Sequence, residues 1–127
     1  MPDCSLTIRI ALTLGFLSLL ALVSLVPGLH RPGDSEFIWL VAHFPTLAQK
    51  LLHILLYGLL ALLLAWTLEG TGSRMQRLII ALVIAVAFGA LMEWCQTKVP
   101  GRFGSLYDVV LNAAGAALGL VAAWWML

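Results

Sequence analysis

Lys50, His53 and Tyr57 are spaced i, i+3 and i+7, so a helix carries all three on one face. Glu93 and Gln96 share a face by the same spacing, as do Asp108 and Asn112, and Arg102 stands in the connection between these two pairs. All are set in or against long apolar runs, where a carboxylate is costly unless it is paired or neutralised. Natural partners for Glu93 are His53, Lys50 or Arg102, and Asp108 is placed to hold Arg102 or to orient His53. Such a set could bind an anion. A guanidinium at Arg102 would clamp a phosphate or carboxylate by two bonds, and Lys50 would add a point charge. It could also do acid–base or nucleophilic work. His53 would then attack or deprotonate beside a phosphoryl or acyl group, with Glu93 or Asp108 on its other nitrogen and Arg102 stabilising developing charge. The plainest alternative is a structural network, in which buried pairs and amides fix helix register without a ligand.

The elements that must position these residues follow from hydropathy. The chain has 127 residues, 62% of them apolar and 10% charged, with a mean hydropathy of +1.04. Charged residues are normally about a quarter of a soluble domain, so lipid has to be the solvent for most of this surface. Four runs, 6–26, 51–68, 78–96 and 106–127, are each long enough to cross about 30 Å of hydrocarbon at about 1.5 Å per residue. Strands are excluded, because four isolated segments cannot close a barrel and none alternates strictly. The expected fold is an all-α, polytopic bundle of four transmembrane helices. The first run is read as a retained helix, since its uncharged stretch outlasts a signal core and no A-x-A site follows it. Residues 36–45 are too short to span, and an interfacial or re-entrant segment with Trp39 near the headgroups fits them. Pro45 stops that segment and lets the next helix begin.

Because successive spans run in opposite directions, the three polar sets converge on one end of the bundle. The connection carrying Arg74 and Arg77 lies at the other end, with Arg9 and the amino terminus. Discounting Lys50 and Arg102 as members of the cluster, the basic residues favour both termini in the cytoplasm, which puts the cluster on the extracytoplasmic face. Trp66, Trp124 and Trp125 read as ordinary anchors at the cytoplasmic rim. Gly115 and Gly119, with Ala116 and Ala123, form a small-residue face that lets the last helix approach a neighbour closely. Cys4 and Cys95 fall at opposite membrane faces and make neither a disulfide nor a metal motif. His30 and His43 read as surface or interfacial residues. The formal net charge of +1 and the lack of a basic stripe exclude nucleic acid as a partner.

The ordered set K50-x-x-H53-x-x-x-Y57, E93-x-x-Q96 and R102-x-x-S105-x-x-D108-x-x-x-N112-x-x-G115-x-x-x-G119 resembles the signature of the VanZ-like family. These are small bacterial membrane proteins whose founding member is associated with teicoplanin resistance. The resemblance runs over residues 50–119 and implies one membrane domain over 1–127 in the bacterial cytoplasmic membrane. It marks Lys50, His53, Tyr57, Glu93, Gln96, Arg102, Ser105, Asp108 and Asn112 as the residues that matter. It brings no established reaction or substrate, and a link to glycopeptide resistance is an expectation from one member.

The reading that follows is a non-enzymic envelope protein binding a membrane lipid, either a polyprenyl phosphate or a phospholipid. Lys50 and Arg102 would contact the phosphate, with neutral hydrogen bonds from Tyr57, Gln96 and Asn112. No cofactor is implied. A metal fits poorly, since one histidine and two carboxylates compete with nearby cations. A membrane enzyme acting through His53 is the alternative. It lacks a strong nucleophile motif, since Tyr57 and Ser105 are ordinary candidates. A transporter is third, because the opposite half of the bundle is lined by Leu, Ile, Val and Ala.

Overall fold

The computed structural model describes residues 4–25, 33, 35–36, 39–40, 43, 45–99, 101 and 104–127. Four helices run through them: α1 (Cys4–Ser24), α2 (Thr46–Thr67), α3 (Arg74–Gln96) and α4 (Leu106–Met126). All four are long and apolar enough to cross a membrane, and no strand occurs among the described residues.

Local chemistry sets the helix ends. α2 starts directly after Pro45, whose carbonyl accepts from the Gln49 N–H at 3.0 Å. Its start lies more than a turn before the apolar run, because Pro45 rather than hydropathy decides it. α3 likewise begins a turn before its apolar run. Ser73 Oγ accepts from the Gln76 N–H at 3.2 Å, and Gln76 Oε1 accepts from the Ser73 N–H at 2.9 Å, a reciprocal capping box. The turn between α2 and α3 needs Gly70 and Gly72, with φ of 91° and 57°. Ser105 caps α4, its hydroxyl accepting from the Asp108 N–H at 3.1 Å, and the Asp108 carboxylate sits in the first turn, where the helix dipole favours an anion.

Between α1 and α2, Glu36, Trp39 and Leu40 are helical. The Trp39 N–H reaches the Ser35 carbonyl and the His43 N–H reaches the Trp39 carbonyl. The Trp39 and His43 rings stack at 4.5 Å, with Trp39 half exposed, as suits an interfacial turn. The rest of the expected 36–45 segment lies outside the described residues, as does His30.

Helices α2, α3 and α4 pack on one another as a three-sided core. α1 lies outside it, along α2, touching α3 slightly and, among the described residues, not touching α4. Lipid gives helices no hydrophobic reason to associate, so close contact and polar bonds must hold them. The core accordingly consists mainly of small or medium residues: Leu60, Ala61, Leu64 and Ala65 of α2, Ala81 and Ala85 of α3, and Ala116, Leu120 and Ala123 of α4. At the crossing of α2 and α4, backbones touch. A Cβ on Gly119 would collide with the Gly58 carbonyl, and one on Gly115 with the Ile54 backbone. Gly58, which nothing in the small-residue spacing of the last helix singled out, is the other half of this crossing.

A second tie joins α1 to α2 at the end bearing the termini. Thr13 and Thr67 hydroxyls meet at 2.7 Å. Arg9 forms an ion pair with Glu69 at 3.0 Å and donates to the Trp66 carbonyl at 3.2 Å. The guanidinium also lies 5.2 Å from the centre of the Trp66 ring. Arg9 thus does more than snorkel, and this half of the bundle is less uniformly apolar than its runs of Leu, Ile, Val and Ala implied.

Candidate functional site

His53 and Tyr57 of α2, Gly89 and Glu93 of α3 and Asn112 of α4 meet inside the three-helix core, toward the end that carries the α3–α4 connection. His53 stands about 10 Å in from the start of α2, at about 1.5 Å per residue. Its Nδ1 lies 2.7 Å from Asn112 Oδ1 and 3.8 Å from Glu93 Oε1. The Glu93 side chain is only 5% exposed, and its other oxygen accepts the Ser105 backbone N–H at 3.2 Å. The buried carboxylate thus accepts a hydrogen bond from the connection that follows its own helix, with the imidazole 3.8 Å from its other oxygen. Gly104 permits this approach, since a Cβ there would drive into the Glu93 carbonyl.

Asn112 is almost wholly buried, at 1% exposure. With Oδ1 committed to His53, its Nδ2 has no hydrogen-bond partner among the described residues. Gly89 leaves the room this amide occupies, because a Cβ at that position would press on Tyr57 Cε1 at 3.0 Å and on Asn112 Nδ2 at 3.1 Å. Tyr57 is buried between the His53 ring at 6.3 Å and the Phe88 ring at 6.4 Å, centroid to centroid. Lys50, one turn nearer the membrane surface than His53, holds its ammonium 5.0 Å from the centre of the Tyr107 ring and pairs with no carboxylate among the described residues.

Asp108 was expected to hold Arg102 or to orient His53; the described partners of the imidazole Nδ1 are Asn112 and Glu93. Gln96, expected among the ligand contacts, donates its side-chain N–H to the Ser24 carbonyl at 3.0 Å, tying the end of α1 to α3. Arg102 lies outside the described residues. Among the described residues, no three His, Cys, Asp or Glu side chains are grouped as a metal site would require. Glycine 89 and the role of Ser105's backbone escaped the sequence reading. Gly89 lies one turn before Glu93 on the same face, and that spacing was the available signal.

Directly beneath His53 and Asn112 the Ile54–Gly115 and Gly58–Gly119 backbone contacts close the gap between α2 and α4. Fold and site together define a multi-pass membrane protein with a buried polar cluster toward one end of its core. The chain belongs to the VanZ/LLP1 family, which it matches over residues 8–127. Comparison with curated proteins and with solved structures returns no match.

Proposed function

We propose that this VanZ-like membrane protein binds the anionic headgroup of a membrane lipid at the α3–α4 end of its core, on the extracytoplasmic face. The observation that supports this most is a polar cluster with a closed floor. His53, Glu93 and Asn112 are linked across three helices, and the glycine crossing below them lets backbones touch. A ligand can therefore meet these groups only from the near end, where the bilayer delivers headgroups sideways. Lys50 supplies a cation there without a described acidic partner. Arg102, on the adjoining connection, is the second cation of the proposal, and Asp108 and Ser105 stand at the same end. The candidate ligands are a polyprenyl phosphate or a phospholipid, and a part in glycopeptide resistance would follow from holding such an envelope lipid. The same floor counts against a passage through the core. The Thr13–Thr67 tie lies between α1 and α2 rather than in line with the cluster.

The test is native mass spectrometry of the protein in nanodiscs doped with polyprenyl phosphate, comparing the parent with Lys50→Ala, Arg102→Ala and His53→Ala. Retention by the parent, lost in the two cation variants, with the lipid unaltered, is the expected result. No preferential retention by folded parent would remove this ligand and leave the cluster as a helix-packing network. A second reading, an enzyme acting through His53, is favoured by one observation: with Nδ1 held by Asn112 and Glu93 beside it, the opposite ring nitrogen is the one a substrate would meet. A lipid changed in mass, and only when His53 is present, would select that reading.

A further inference from the structure

Both described partners of the His53 ring are oxygens, and both lie at Nδ1: Asn112 Oδ1 at 2.7 Å and Glu93 Oε1 at 3.8 Å. Facing these two oxygens, Nδ1 is the nitrogen suited to carry the proton. A bare lone pair there would face the carboxylate and be repelled, which agrees with the Asn112 oxygen turned toward the ring. Nε2 is then the nitrogen that can take a proton from a ligand. No described residue bonds Nε2, and the His53 side chain is 24% exposed. Lys50 stands one turn nearer the surface on the same helix face.

A site with fixed cations and one proton-accepting nitrogen distinguishes two kinds of phosphate. A diester carries a single permanent charge and has no proton to share. A monoester has a second ionisation near neutrality, at about 6, so it can pass its proton to Nε2 and present two negative charges to Lys50 and the imidazolium. The transfer balances within the pair: the P–O–H bond breaks, the Nε2–H bond forms, and the resulting N⁺–H···O⁻ contact is charge-assisted. Glu93, nearly buried beside the ring, offsets the positive charge the imidazole acquires.

We infer that the site selects phosphate monoester headgroups over phosphodiesters, with Asn112 as the positioning residue that reserves His53 Nε2 for the ligand. This rests on the headgroup-binding reading above and narrows it to one chemical class, which a polyprenyl monophosphate or a phosphatidic acid would each supply.

The experiment is retention from nanodiscs of a zwitterionic lipid doped, in separate arms at equal mole fraction, with polyprenyl monophosphate, phosphatidic acid or phosphatidylglycerol. The parent should favour at least one monoester over the diester roughly tenfold, about 1.4 kcal/mol. The monoester retained more strongly identifies the source of the headgroup. His53→Ala and Asn112→Ala should level monoester and diester, while Asn112→Asp, which keeps an oxygen against Nδ1, should preserve the preference. Should Asn112→Ala fail to fold, nitrogen-15 NMR of the ring in the parent, assigned with His53→Ala, decides the positioning claim. A protonated Nδ1 supports it, and an unprotonated one overturns it. Equal retention of monoester and diester would overturn the class and leave headgroup binding standing. Retention of none of the three would remove both.

Discussion

Ser105 serves two elements at once. Its backbone N–H satisfies the buried Glu93 carboxylate, and its hydroxyl caps the first turn of α4. The two functions separate on substitution. Ser105→Ala removes only the hydroxyl and should cost about 1 kcal/mol, the usual worth of an N-cap, read as a lower thermal midpoint in detergent. Gly104→Ala should do the reverse of a mild change, because the added methyl meets the Glu93 carbonyl and pushes the connection off the carboxylate. Its thermal midpoint should fall further than that of Ser105→Ala, and a smaller fall would show that the connection yields easily. At this scale the identities of His53, Glu93 and Asn112 were legible from helical spacing. The approach of His53 to Glu93 was among the expected pairings, and the His53–Asn112 bond was not. Spacing tells which residues share a face, but not whether an amide or a carboxylate from a neighbouring helix arrives first at a given ring nitrogen.

Among the elements, the α2–α4 crossing makes the sharpest demand on sequence. Gly119→Val and Gly58→Val should each prevent close approach and abolish folded, monodisperse protein, whereas Gly15→Val, with open space around its would-be Cβ, should purify like the parent. Equal tolerance at the three positions, judged by size-exclusion profile, would contradict the crossing. The tie between α1 and α2 is weaker. Thr67→Val leaves the buried Thr13 hydroxyl without the 2.7 Å contact and should lower stability by about 0.6 kcal/mol, typical of an interhelical hydrogen bond in a membrane. The helices themselves were legible because unbroken apolar length is a direct consequence of bilayer thickness. Their true starts were partly hidden, since Pro45 and the Ser73–Gln76 box work in polar sequence that hydropathy ignores. The tie was missed because threonine is common in apolar runs. The clue was Arg9 and Thr13 at i and i+4, facing the same end as Thr67 and Glu69.

Over the whole molecule, the four runs look alike in hydropathy, so nothing in them distinguished the three core helices from the outlying α1. That arrangement depends on which faces carry small residues, and on Gly58 meeting Gly115 and Gly119, a relation between distant positions. Orientation belongs to this scale too. With Cys4 and Cys95 replaced by serine, a cysteine at Thr97 should react with an impermeant maleimide from outside the cell, and one at Ser73 only after lysis. The opposite pattern would move the headgroup site to the inner leaflet. The order of polar contacts along the chain has a further consequence, for biogenesis. Thr13 precedes Thr67 and Arg9 precedes Glu69; His53 precedes Glu93, whose N–H donor follows twelve residues later, and Asn112 comes after both. A chain threaded into the bilayer from its amino end therefore brings each later polar group to a partner already inserted. The costly Glu93 enters beside a histidine that is waiting for it and completes its bonding within its own hairpin.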